Sequence, residues 1–275
     1  MLAVTGVTGA IGGRVASLLE SGGKPFVMLA RRPEQAPRVG VPTRYCSYGD
    51  AEPAIHALSG VDTLLMVSGS ETPTRVRDHG TFIDAAVEAG VRQVVYTSFV
   101  GAAPDAVFTL ARDHHATEEH LRASGLAHTI LRDNLYLDFL ASLPDEDGVI
   151  HAPAGQGRVA AVARRDIARV AAHILSDPDA HRGRTYELTG PRAIDFEELA
   201  TTLTHAQGRD VSYRRETVEE AYAYRRKWPA PQWQYDAWVS TYTAIAAGQM
   251  STVTDDIEKI TGTPGLSLEE LLAHA

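Results

Sequence analysis

Gly6, Gly9 and Gly12 punctuate the stretch Thr5-Gly6-Val7-Thr8-Gly9-Ala10-Ile11-Gly12. It lies between an apolar run at residues 2–5 and an amphipathic stretch at 12–20, which carries Val15, Leu18 and Leu19 on one face. Few local patterns constrain a fold as tightly as glycines at a strand-to-helix junction. Gly6 permits a tight turn, Gly9 leaves the backbone open to approach, and Gly12 lets the helix pack closely on the sheet. The N–H groups that open the helix then face outward with the positive end of its dipole, which suits a phosphate. The spacing is Gly-x-x-Gly-x-x-Gly rather than Gly-x-Gly-x-x-Gly, so its weight comes from context.

That context continues along the chain. Segments that read as strands at 26–30, 43–45, 63–67, 91–97 and 128–131 alternate with helical periods at 52–58, 74–89 and 109–124. Alternation of this kind predicts parallel strands joined by right-handed crossovers, an α/β fold with a doubly wound parallel sheet of the Rossmann kind. The pattern changes after about residue 134. Turn clusters stand at 144–148 and 154–157, helical periods at 166–175, 196–205, 218–226 and 233–247, and a strand at 184–188. We expect a nucleotide-binding domain over residues 1–148 and a smaller, mostly helical C-terminal lobe over 149–275, with strand 184–188 returning to the sheet edge.

Arg31-Arg32 follows the second strand directly, where a chain preferring NAD places an acid for the ribose 2′-hydroxyl. Two guanidinium groups and no carboxylate favour a 2′-phosphate, hence NADP(H) over NAD. The net charge of −9, from 35 acidic and 26 basic residues, argues against nucleic acid or an anionic membrane as a partner. Cys46 is the single cysteine, which excludes an internal disulfide and a cysteine-rich metal site, and no metal is expected. No signal-peptide pattern or membrane-length apolar stretch is evident, so the expectation is a cytoplasmic protein, monomeric or homodimeric.

Several motifs together resemble the atypical short-chain dehydrogenase/reductase group that contains the NmrA-like proteins. These are residues 5–12, Ala30-Arg31-Arg32-Pro33, Gly49-Asp50, Gly60-Val61-Asp62, Val95-Tyr96-Thr97-Ser98, His114-His115-Ala116-Thr117-Glu118, and Thr129-Ile130-Leu131-Arg132 with Asn134 and Tyr136. Within that group the chain is most similar to type 2 NAD(P)H:quinone oxidoreductases, with triphenylmethane reductase as a second reference. The resemblance implies Gly6, Thr8, Gly9, Ile11 and Gly12 at the pyrophosphate and Arg31, with Arg32, at the 2′-phosphate. It implies Asp50 near the adenine and Ser68 along the ribose and nicotinamide side. As residues alone, Asp50 also reads as a turn or helix cap and Ser68 as a turn serine.

Most of the larger superfamily uses a Tyr-x-x-x-Lys pair as proton donor. The corresponding spacing here is Leu110…His114, and leucine donates no proton. His114 stands where many relatives carry the lysine, and is expected to bond the nicotinamide ribose or relay a proton. His114 and Glu118 share a helix face, as an oriented pair or a surface contact. Phe99, Asn134 and Tyr136, at strand ends, are candidates for the acceptor site, by stacking and an amide hydrogen bond. The quinone-reductase pattern Arg-Asn-Gly-Trp-Tyr becomes Arg132-Asp133-Asn134-Leu135-Tyr136, which loses a tryptophan and gains an acid. The expected function is an NADPH-dependent oxidoreductase passing hydride directly to a quinone, dye or other conjugated small molecule. The alternatives are an NADP-binding redox sensor without turnover and a specialised biosynthetic reductase.

Overall fold

The structure is a computed structural model that describes residues 1–273. The last two residues of the expected 149–275 lobe lie outside the described residues. The expected strand segments form β1 (Leu2–Val4), β2 (Phe26–Ala30), β3 (Thr43–Tyr45), β4 (Thr63–Met66), β5 (Gln93–Phe99) and β6 (Ala127–Asp133). They are linked by α1 (Ala10–Ser21), α2 (Ala51–Leu58), α3 (Arg75–Glu88) and α4 (Thr109–Ala123). Every residue of β2, β4 and β5 is buried, as strands covered on both faces require.

Beyond β6 the chain forms α5 (Leu137–Leu140), β7 (Val149–Ala152), α6 (Arg164–Ser176), β8 (Thr185–Leu188), α7 (Phe196–Gln207), β9 (Ser212–Arg215), α8 (Val218–Arg225), α9 (Gln232–Ala246), α10 (Asp256–Thr261) and α11 (Leu268–Ala273). The main sheet has seven strands in the order β3-β2-β1-β4-β5-β6-β8, all parallel. It is a Rossmann-like doubly wound sheet with a helical C-terminal part. β8 runs beside β6, with Thr185 opposite Ile130 and Leu188 opposite Asp133. β7 and β9 make a separate two-stranded parallel sheet that the turn-rich sequence around them did not announce.

Three apolar cores hold these layers together. α1 and α6 cover one face through Val15, Leu19, Ile167 and Ile174. α2, α3 and α4 cover the other through Leu58, Phe82, Ile83 and Leu121. Each such fully buried side chain contributes roughly 1.5–3 kcal/mol. The third core begins at Phe99 on the end of β5, with Phe108 and Leu110. It continues into the lobe through Phe196, Leu203, Tyr242 and Ile245. The lobe is therefore seated on the carboxyl end of the sheet. Two of its helices are announced by their starts: Asp195 with Glu198, and Thr217 with Glu220, form reciprocal capping boxes. Among the described residues no helix is long and apolar enough to cross a membrane.

Candidate active site

The strand order reverses between β1 and β4, and a cleft of about 300 Å³ opens there at the carboxyl ends of β1 to β4. Gly6 to Gly9, Arg31, Arg32, Gly49, Ser68 and Arg75 are among its walls. Gly6 turns the chain with φ +63°, a conformation that L side chains rarely adopt. Gly12 packs against the turn it follows: a Cβ there would stand 2.4 Å from the Thr5 carbonyl oxygen and 2.5 Å from that of Gly6. Gly9 occupies the cap position of α1, and no side chain bonds the helix start. The first N–H groups of α1 are therefore left for another acceptor. Ile11 sends its side chain into the core, so only its backbone can serve the cleft.

Arg31 and Arg32 leave the end of β2 exposed on the cleft wall. Arg31 Nη2 reaches Ser70 Oγ at 3.5 Å, and among the described residues neither guanidinium pairs with a carboxylate. Ser68 sits on the opposite wall, its amide donating to Thr97 Oγ1 at 2.8 Å. Asp50 is exposed at the start of α2 and does not line the cleft, whereas Gly49 does. Its carboxylate makes no side-chain bond to the helix it precedes.

A second group of candidates gathers where β5 and β6 end. Phe99 and Asp133 are register partners, and the Phe99 ring lies 4.9 Å from that of Phe108 and 6.1 Å from that of His114. Tyr136 is half-buried, with the Arg164 guanidinium 4.7 Å over its ring. Asn134 differs from expectation. It is 1% exposed, its Nδ2 donates to the Met250 carbonyl at 3.0 Å, and its Oδ1 accepts from the Leu135 amide at 2.7 Å. Its amide fastens the end of β6 to the segment that follows α9. Asp133 is 0% exposed, and neither of its carboxyl oxygens has a hydrogen-bond partner. Burial drives its pKa well above the ordinary range, with the Tyr136 hydroxyl beside it opposing the shift.

His114 also departs from the expected pairing. It is 6% exposed and outside the cleft lining. Its Nε2 meets Arg75 Nη2 at 3.0 Å and its Nδ1 meets Tyr96 Oη at 3.0 Å. Burial, reinforced by the Arg75 charge, holds its pKa well below the ordinary histidine value. Glu118, one turn on, turns instead to β6. It accepts from Arg132 Nε at 2.9 Å and Nη2 at 2.7 Å, from Arg122 Nη2 at 2.9 Å, and from Ser98 Oγ at 2.6 Å. The shared helix face was real, but the two side chains serve different neighbours.

Arg75 and His79, which no sequence motif marks, link the two groups. Arg75 borders the cleft and touches His114, while His79 bonds the Gly69 amide on the cleft wall. A signal existed for Arg75: a cation at the first residue of a helix opposes the dipole and asks for a reason.

A family pattern described as NAD(P)H-binding matches residues 6–178. The chain is similar to an NADPH-dependent quinone oxidoreductase of Escherichia coli solved with NADPH. The two share 31% identity and a TM-score of 0.91, over 100% of this chain and 99% of that one. The triphenylmethane reductase of Citrobacter sp., solved with NADP(H), gives 31% identity and a TM-score of 0.90, over 100% of both chains. The NAD(P)H azoreductase of Xenophilus azovorans is 32% identical over 282 residues, 100% of this chain and 98% of that protein.

Proposed function

The chain belongs to the NAD(P)H-binding family, among the NmrA-like atypical short-chain dehydrogenases/reductases, and from that membership we propose an NADPH-dependent oxidoreductase that passes hydride directly to a quinone, a dye or another conjugated small molecule. The observation that carries this reading is one cleft holding both an uncapped helix start and an unpaired guanidinium pair. That donor set fits a dinucleotide with an additional phosphate. The backbone of Gly6, Thr8, Gly9, Ile11 and Gly12 takes the pyrophosphate, and Arg31 with Arg32 takes the 2′-phosphate. Ser68 borders the ribose. Bound there, the nicotinamide supplies a hydride.

The remaining residues define which acceptors suit the site. Leu110, in the position of the superfamily tyrosine, packs in the apolar core beside Phe99 and Phe108. Among the described residues, that position holds no acid for an isolated carbonyl oxygen. A conjugated acceptor spreads the arriving charge over its own frame, so positioning and exclusion of water carry most of the acceleration. Phe99 and Tyr136 offer aromatic surfaces for such a flat molecule. Cys46 is buried, and burial raises its thiol to about 12. An inert lone thiol fits a reducing compartment, and we place the protein in the cytoplasm.

The test is calorimetric titration with NADPH and NADH, then a panel of quinones, triphenylmethane dyes and azo dyes followed at the NADPH absorbance. NADPH binding tighter than NADH, with steady oxidation by at least one acceptor class, is the expected result. Binding without oxidation across the panel rejects the reductase and leaves a sensor; no binding rejects the cleft assignment.

A further inference from the structure

We propose that Arg75 grips the nicotinamide-ribose half of the dinucleotide through the ribose hydroxyls, supplying the positive charge that the superfamily draws from a lysine, with His114 holding the guanidinium in place. This inference rests on the reading of the cleft as an NADP(H) site.

Arg75 is 5% exposed and begins α3, so its charge pays twice, once for lost water and once against the helix dipole. The charges of Asp113 and Glu71 stand near it, but they leave part of its donor set open. Nη2 bonds His114 Nε2 at 3.0 Å, but Nη1 is 3.7 Å from Asp113 Oδ2, beyond hydrogen-bond reach. Nε and Nη1 are buried without a hydrogen-bond partner. Buried donors left open in this way are rare. Here they belong to a residue that borders the cleft beside Ser68, Gly69 and Thr72. A small turn of the guanidinium toward the cleft would bring these donors to a ligand oxygen there.

The histidine contact identifies which part of the ligand arrives. A guanidinium only donates, so His114 Nε2 carries the lone pair, and Nδ1 keeps the hydrogen and donates it to Tyr96 Oη. His114 occupies the position of the superfamily lysine yet is neutral, with both nitrogens engaged. The cation at that place is Arg75, one hydrogen bond in front of it. The phosphates have their own partners in the α1 start and Arg31, at the other walls of the cleft. The hydroxyls of the second ribose remain as acceptors for Nε and Nη1.

The experiment compares NADPH with 2′,5′-ADP, which lacks the nicotinamide-ribose half, by calorimetry on the full chain. Arg75→Met is expected to weaken NADPH about 10- to 100-fold, as charged hydrogen bonds imply, and to change 2′,5′-ADP by less than about 2-fold. Arg75→Lys keeps the charge and recovers part of the loss, and it serves alone if the methionine variant does not fold. Imidazole ¹⁵N spectra give a second readout: the wild type shows His114 as a pure Nδ1–H tautomer, and Arg75→Met loses that purity. Equal weakening of both ligands assigns Arg75 to the phosphates or to cleft structure and overturns the proposal. Unchanged NADPH affinity in both variants also overturns it. Failure of the wild type to bind either ligand overturns the cofactor reading itself, and is thereby distinguished from failure of Arg75 alone.

Discussion

His79 Nε2 accepts the amide hydrogen of Gly69 at 2.8 Å, while its Nδ1 meets Thr117 Oγ1 at 2.9 Å. An amide only donates, so Nε2 holds the lone pair, Nδ1–H donates, and the ring is neutral. One imidazole thus ties α3, α4 and the cleft wall together. Burial first, and the Arg75 charge second, lower its pKa from 6.5 to about 3. A histidine depressed in the fold contributes stability that is full above pH 6.5 and lost as pH falls toward 3. His79→Gln should therefore flatten the acid limb of stability between pH 6.5 and about 4, and cost about 1–3 kcal/mol at pH 7.5. Urea melts at several pH values measure both, and parallel curves for variant and parent contradict the assignment.

Glu118 is 0% exposed and is held by Arg132, Arg122 and Ser98. Burial pushes its pKa up, but these donors outweigh burial and leave it below the usual range. Removing the charge leaves Arg132, half-buried on β6, with only the longer Glu187 contact at 3.9 Å among its carboxylate partners in the described residues. Glu118→Gln should lower stability by about 3 kcal/mol. The cost should fall as pH drops through the carboxylate range, since the parent loses the same interaction by protonation. Denaturant unfolding at pH 7 and pH 4 reads this out.

Asp133 titrates in the opposite sense. Its pKa is raised by burial, so between the unfolded carboxylate value near 4 and its folded value the native state holds an extra proton. Stability attributable to this residue therefore falls as pH rises across that window, by at most about 1.4 kcal/mol per pH unit. Asp133→Asn should raise the Tm at pH 8 and leave it nearly unchanged at pH 4. A variant less stable than its parent at pH 8 would mean that the carboxyl is ionised and paired.

Gly9 and Gly12 should separate binding from folding. A Cβ at Gly12 meets two backbone oxygens, whereas one at Gly9 meets only the Gly6 oxygen at 3.3 Å. Gly12→Ala should cost about 3 kcal/mol or more of stability, because backbone cannot step aside. Gly9→Ala should leave the Tm within a few degrees while weakening NADPH at least about 10-fold, since its methyl group occupies the approach to the helix start. Thermal melts with calorimetry on both variants decide the matter.

Arg31→Ala should weaken NADPH about 10- to 100-fold and NADH less than about 2-fold, because only the former carries the phosphate that a guanidinium recognises. Titration of both nucleotides checks this, and equal losses remove Arg31 from the 2′-phosphate.

The sheet was legible because β2 is a continuous apolar run and β4 and β5 are largely apolar and β-branched or aromatic, each set between amphipathic stretches. β7 and β9 were not legible. Each is four residues long, Val-Ile-His-Ala and Ser-Tyr-Arg-Arg, and β9 is largely exposed, so neither shows a clean period. The glycine turn was readable because its sterics are local. Arg75 and His79 were not, because charged positions on an amphipathic helix read as solvated until tertiary contacts show which of them face inward. His114 and Glu118 illustrate the same limit: helical spacing places two side chains on one face, but the partners come from β5, β6 and α3.

The position of β8 bears on how the molecule is made. A ribosome releases β1 to β6 well before Thr185–Leu188, and until that segment arrives the backbone groups of Ile130–Asp133 face no neighbour on that side. A nascent chain that forms its sheet before that segment arrives carries an open, pairing-competent edge along β6. Translation pauses placed before Thr185 prolong that stage, and crowded polysomes bring such edges together.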